Sequence, residues 1–123
     1  MGTWGSGNFE SDAAWDYLAS FLDRIVSEVA EVMDGDPVEL EPDEYWGVAV
    51  PCQLELLTVL VRAGHTYDSL LSPDTVKAWK EKFLTVWEDT IDDLEPTPDY
   101  KEERRAVLIR TFDELADAVA PVA

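Results

Sequence analysis

Four stretches of this chain carry apolar residues at spacings of three and four, and each stretch begins and ends with residues that delimit helices. The predicted helices cover residues 12–33, 43–63, 73–94 and 98–120. Ser11, Ser72 and Thr97 stand where an N-cap hydroxyl can accept from a free backbone amide. Because this spacing gathers apolar residues on one helix face, each segment must bury that face against the others. The pattern predicts an all-α, compact four-helix domain.

The first, third and fourth helices are predicted to bury one stripe each. These stripes are Ala14, Leu18, Phe21, Leu22, Ile25, Val29 and Val32; Val76, Trp79, Phe83, Val86, Trp87, Ile91 and Leu94; and Leu108, Phe112, Leu115 and Val119. The second helix is apolar nearly all round from Tyr45 onward, which predicts that it is the central, most buried element. Pro51 lacks a backbone donor and predicts a kink or a restart within it.

The connections between helices are short, and one of them predicts a contact between opposite charges. Residues 38–43 are too few and too close to prolines for more than a loop or an extended piece. The third helix ends in acids, which oppose the helix dipole, whereas the fourth begins with Lys101, Arg104 and Arg105. If the two helices pack antiparallel across residues 95–97, these oppositely charged ends are neighbours.

Residues 1–11 are predicted to form a docking loop rather than a frayed terminus. Trp4 and Phe9 flank a turn that contains Gly5 and Gly7, and Asp12 follows at the favourable positive end of the first helix. Large aromatic side chains gain by burial, so we expect this loop to pack onto the helices.

This opening resembles a bacterial family, domain of unknown function 4259. Its members begin Met-Gly-x-Trp-Gly-x-Gly-x-Phe and continue into an acidic helix start, as MGTWGSGNFESD does here. A second similarity is the acid-bearing second helix, matched by residues 52–57, although Pro51 and the bulkier leucines depart from the family pattern. The resemblance implies a small intracellular protein with one fold over its whole length, and it implies no particular activity.

The charge of the chain limits its partners. The 123 residues, which fit a single domain spanning 1–123, contain 27 acids and nine bases, for a net charge of −18. Residues 1–61 hold 13 of the acids and one base, Arg24. This negative charge repels nucleic acid and anionic membranes, and it attracts basic proteins. Glu39, Glu41, Asp43 and Glu44 are the candidate partner-binding residues. The alternative, that the charge serves only solubility, stays open.

The sequence also favours a cytoplasmic location. Its single cysteine, Cys52, excludes an internal disulfide, and the N-terminus lacks the basic and apolar regions of a signal peptide. The most apolar run, residues 45–63, is interrupted by Pro51, Glu55 and Arg62 and is typical of a buried helix rather than a membrane span.

No catalytic residue, metal ligand or cofactor is predicted. The acids of residues 34–44 lack the spacing of an EF-hand. His65 is the only histidine and is predicted to lie in a surface loop, while Cys52 is predicted to be an inert core thiol. The amides around Gly5 and Gly7 can in principle face an anion, but no strand precedes them and a structural turn is favoured.

The helical neighbours of Glu55 are apolar, so its carboxylate must either reach the surface or be matched by hydrogen-bond donors. As a structural residue it would accept hydrogen bonds from the N-terminal turn or from the indole of Trp4. As a functional residue it would be a general acid or base in a cleft. The leading functional hypothesis is a protein-binding module that masks a basic partner, as immunity proteins and nucleic-acid mimics do. The alternatives are a small enzyme or ligand-binding domain with a carboxylate site near Glu55, or a structural subunit.

Overall fold

The computed structural model describes residues 2–121 and contains four α-helices. They are α1 (Asp12–Asp34), α2 (Tyr45–Arg62), α3 (Pro73–Thr90) and α4 (Pro98–Val119), with 3-10 turns at Pro37–Leu40 and Ile91–Leu94. Between residues 2 and 121 the β-pairing is one isolated antiparallel bridge, Thr3 to Ser11. The predicted all-α architecture is therefore confirmed. The segment expected to be a loop or extended piece after α1 instead contains a 3-10 turn, because Leu40 is fully buried in the core.

Helices α1, α3 and α4 begin where their capping residues predicted, whereas α2 begins at Tyr45 rather than at residue 43. The hydroxyls of Ser11, Ser72 and Thr97 each accept from the backbone amide three residues ahead, at 3.1–3.2 Å. Ser72 and Thr97 are followed by proline at the first helical position, where the missing donor costs nothing.

Around the bundle the order of the helices is α1, α2, α4, α3, since α1 and α4 each contact both α2 and α3. Helices α2 and α4 run in the same direction. Their first turns line one groove, and Arg62 at the end of α2 pairs with Glu114 of α4 at 3.8 Å. The core contains residues of all four helices and of the 3-10 turns. Its largest fully buried side chains are Phe83, Phe112, Leu22, Leu40, Leu54, Leu57, Leu108 and Leu115.

Helix α2 has more buried residues than any of the other three helices, as predicted, but it is not enclosed all round. One face, with Val50, Leu54 and Leu57, is fully buried, but Tyr45 is 72% exposed and Leu56 59% exposed. The helix contacts α1, α4 and the first 3-10 turn on its inner side, and its outer side stays exposed. Helix α2 also continues unbroken through Pro51, so the predicted restart does not occur.

Two predictions about individual α2 residues are wrong for the same reason. Cys52 is exposed rather than a core thiol, and Glu55 is exposed rather than enclosed. Glu55 therefore needs no donors from the N-terminal loop. The indole of Trp4 instead donates to Asp12 at 3.3 Å, and the amide of Gly7 donates to the Glu10 carboxylate at 3.2 Å.

The predicted contact between the acidic end of α3 and the basic start of α4 is confirmed. Lys101 pairs with Asp92 at 2.8 Å, and the guanidinium of Arg105 holds the Glu88 carboxylate through two nitrogens. The hydrogen bond from Arg105 lowers the pKa of Glu88 below its ordinary value. Arg105 also lies over the ring of Trp87, 5.4 Å from its centroid, so it joins the two helices by charge and by packing.

The N-terminal loop packs onto the helices. The amide of Trp4 donates to the carbonyl of Glu10 at 2.8 Å, which closes the turn. Phe9 packs against the core and against the ring of His65, with ring centroids 4.6 Å apart. Trp4 is less deeply placed than the sequence suggested. It contacts Trp15, at 6.1 Å between centroids, and stays 57% exposed.

We therefore expect Trp4→Ala to cost only about 1 kcal/mol of unfolding free energy, the size of one aromatic pair. Phe9→Ala should cost more, because Phe9 contacts the core itself. Urea denaturation of both variants measures the difference. If Trp4→Ala lost as much unfolding free energy as Phe9→Ala, or more, Trp4 rather than Phe9 would anchor the loop.

Candidate functional site

Among residues 2–121, no acid of the first half of the chain forms an ion pair. Every ion pair found among residues 2–121 joins two residues of the second half. These pairs are Arg62–Glu114, Lys80–Asp113, Lys101–Asp92 and Arg105–Glu88. The negative charge of residues 1–61 is therefore left uncompensated by ion pairs within this described part of the chain, and it is available to an outside cation.

Three of these acids line one cleft with a tryptophan. Glu28 and Glu31 of α1, Glu39 of the first 3-10 turn and Trp46 of α2 line a cleft of about 400 Å³. Val32 and Gly35 complete its wall. We call this cleft the acidic notch. Its four principal side chains come from three different elements, so the notch exists only in the folded protein.

The end of α1 is fixed where it borders the notch. Lys82 of α3 donates through Nζ to the carbonyl of Met33 and to that of Gly35, the latter at 3.3 Å. A cation at a helix C-terminus satisfies free carbonyls and complements the dipole. Lys82 thus anchors the backbone beside the notch without neutralising any of its carboxylates.

The turn that carries Glu39 is held by a close backbone contact with α2. Gly47 packs so tightly on this turn that a Cβ there would lie 1.9 Å from the carbonyl oxygen of Glu41. Asp36 caps the turn by accepting from the amide of Val38 at 3.0 Å. The contact at Gly47 therefore fixes the turn that carries Glu39 against the helix that carries Trp46.

On the α1 side, Gln53 orients one of the carboxylates. Its amide Nε2 donates to Oε1 of Glu28 at 2.9 Å, while its own Oε1 is buried without a hydrogen-bond partner among residues 2–121. A neutral donor of this kind holds a carboxylate in place and leaves its charge unchanged.

The notch has the chemistry to receive a lysine or arginine side chain. An indole face attracts a cation within about 6 Å, and neighbouring carboxylates add charge-assisted hydrogen bonds. The apolar stem of such a side chain can pack on Val32 while its charged head meets the acids. Asp or Glu side chains would be repelled from the same place.

Of the four predicted partner-binding acids, only Glu39 lines the notch. Asp43 and Glu44 are exposed but do not line it, and Glu41 is half-buried. Sequence reasoning missed Trp46 and the two α1 acids, Glu28 and Glu31, because their meeting in one cleft depends on the packing of three elements. The three-residue spacing of the two acids on one helix face was the signal that could have indicated a paired site.

The remaining predicted motif residues have structural surroundings. Gly5 and Gly7 lie under the side chain of Glu10, whose carboxylate already accepts from the turn. Between residues 2 and 121, no group of three or more His, Cys, Asp and Glu side chains is arranged to hold a metal ion. Within the same range, no helix combines the length and apolarity needed to cross a bilayer.

Comparison with known proteins identifies a family without adding an activity. The family model described as Domain of unknown function (DUF4259) matches residues 2–119, so the chain belongs to that family. No curated protein and no solved structure matches the chain. The fold and the acidic notch therefore carry the functional argument.

Proposed function

We propose that this member of the DUF4259 family is a cytoplasmic bacterial protein-binding module that masks a basic partner by receiving a lysine or arginine side chain in the acidic notch. The observation that carries the proposal is that Glu28, Glu31 and Glu39 line one cleft together with Trp46. Evenly spread surface acids would suffice for solubility alone. Carboxylates that share one cleft with an indole favour recognition of one cation.

The uncompensated charge of residues 1–61 supports the same function at longer range. It would speed the encounter with a basic protein, and the exposed Asp43 and Glu44 would contribute to that attraction. Neither enzyme activity nor a carboxylate site near Glu55 is favoured, because Glu55 is exposed on the outer side of α2.

A charge-matched pair of double variants tests the proposal. Glu31→Gln with Glu39→Gln changes the notch, and Glu102→Gln with Glu103→Gln removes two exposed acids from α4. With a hexa-arginine peptide as the probe, the notch variant should bind about tenfold more weakly, a loss of about 1.4 kcal/mol. The α4 variant should stay close to the unmodified protein. Isothermal titration calorimetry at constant ionic strength gives both affinities.

Two further measurements distinguish binding in the acidic notch from general attraction by the negative charge of the protein. Trp46→Leu keeps every charge and should still weaken peptide binding, because it removes the cation–π contact. Raising the ionic strength should weaken binding steeply, since charges are screened over about 8 Å at physiological salt. Equal losses in the two double variants, or salt-independent binding, would rule out the notch as the binding site.

A further inference from the structure

The outer side of α2 presents an apolar stripe that no part of residues 2–121 covers. Tyr45, Val48, Leu56 and Val59 are 56–72% exposed, and Cys52 lies exposed in the middle of them. We call these five residues the α2 stripe. Contiguous exposed apolar surface of this kind is typical of an interaction site.

The α2 stripe is symmetric about its central residue. Its members are spaced by three, four, four and three positions, so Val48 and Leu56 lie equally far from Cys52, as do Tyr45 and Val59. A twofold axis through Cys52 would bring two α2 helices together antiparallel. Val48 would then face Leu56 of the second copy, and Tyr45 would face Val59 of the second copy. A twofold interface requires this self-complementarity.

The charges at the two ends of α2 fit the same arrangement. Arg62 is the only base of the helix. It is exposed at the C-terminal end, where it pairs with Glu114 of α4 at 3.8 Å, whereas Glu41, Asp43 and Glu44 precede the N-terminal end. In the antiparallel pair, Arg62 of each copy would lie beside these acids of the other. A parallel pair would instead bring the two acidic ends together, which like-charge repulsion disfavours.

We infer that the protein forms a homodimer through its α2 stripe, with two antiparallel α2 helices and Cys52 at the twofold axis. This inference does not depend on the acidic notch. Because each copy carries a net charge of −18, self-association should strengthen as salt screens the repulsion. Binding of a basic partner should weaken under the same change, so the two interactions are distinguishable by the direction of their salt dependence.

Sedimentation equilibrium of the full chain at low and high salt tests the dimer. Leu56→Glu should raise the dimer dissociation constant by more than about tenfold, equivalent to 1.4 kcal/mol. Tyr17→Glu, which places the same charge on an exposed aromatic position of α1, should leave it unchanged. A monomer at every concentration and salt, or equal effects of the two variants, would overturn the inference.

Two experiments fix the geometry. Arg62→Glu should weaken the dimer, because it places acids opposite acids. Adding Glu44→Lys to that variant should restore the dimer, because the two positions then carry opposite charges again. A short bismaleimide should join two copies through Cys52 in the unmodified protein, but not two copies of Cys52→Ser combined with Tyr17→Cys. Failure of the charge rescue, or no faster cross-linking through Cys52 than through position 17, would exclude the antiparallel arrangement.

Discussion

Gly47→Ala is expected to destabilise the protein by about 3 kcal/mol or more, as overpacking of a rigid site does. The added Cβ would lie 1.9 Å from the carbonyl oxygen of Glu41 and 2.9 Å from that of Leu40. Both contacts are with backbone, so no side chain can rotate away. Leu40 is fully buried, and the turn cannot retreat without withdrawing it from the core. Guanidinium denaturation measures the loss against the roughly 5–15 kcal/mol that stabilises a domain.

Gly35→Ala is the matched control for this substitution. Its added Cβ would approach its nearest neighbour, the carbonyl oxygen of Val32, at 3.4 Å, an ordinary contact. The unfolding free energy should therefore change by less than about 1 kcal/mol. If Gly47→Ala were as stable as Gly35→Ala, the turn could not be packed on α2 as described. The position of Glu39 in the acidic notch would then be wrong as well.

The positions of the helices were predictable because local chemistry determines them. Ser11, Ser72 and Thr97 are caps whose acceptor lies within three residues of the amide that it serves. The contact between the ends of α3 and α4 was also predictable. A three-residue connection forces them together, and Arg105 and Glu88 have opposite charges.

The burial of α2 was not predictable from its composition. A helix that is apolar all round is normally enclosed, but one helix in a four-helix bundle has neighbours on only part of its circumference. Val50 and Leu54 face those neighbours, whereas Leu56, which is 59% exposed, does not. Periodicity alone cannot distinguish a face covered within the chain from one that a second copy would cover.

The partner of the Trp4 indole was mispredicted because two carboxylates were plausible acceptors. Glu55 was considered because its helical neighbours are apolar. Asp12, however, is only eight residues from Trp4, and the closed turn brings the indole back to it.

The acidic notch was not predicted from the sequence either. Glu31, Glu39 and Trp46 belong to three elements whose meeting depends on the packing of the turn against Gly47.

The outer surface thus divides into regions with different chemistry. The acidic notch combines charge with a single aromatic ring, which suits a cationic side chain. The α2 stripe is apolar, with acids before one end of the helix and Arg62 at the other, which suits a second copy. If both interactions form, Arg62 of the second copy would compete with a basic partner for Glu41, Asp43 and Glu44. Dimer formation would then reduce, without abolishing, the affinity of the notch for a cation.

Phe112→Ala is expected to cost about 3–5 kcal/mol of unfolding free energy, the range found for fully buried aromatic residues. Phe112 of α4 has no exposed surface and packs against Phe83 of α3, with ring centroids 5.6 Å apart. Removing either ring leaves a cavity between the two helices, and the helices cannot close it without disturbing the Arg105–Glu88 pair. Phe112→Leu, which keeps most of the volume, should cost clearly less.

A double-mutant cycle with Phe83→Leu shows whether the two rings act as a pair. Because the rings touch, the losses of Phe112→Leu and Phe83→Leu should fail to add, with a coupling of about 0.5–1.5 kcal/mol. Tyr17→Ala, at an aromatic position that is 63% exposed and stacks on Phe21, serves as the control and should change stability by about 1 kcal/mol or less. Strictly additive losses, or a Phe112→Ala loss no larger than that of the control, would mean that α3 and α4 do not pack through these rings.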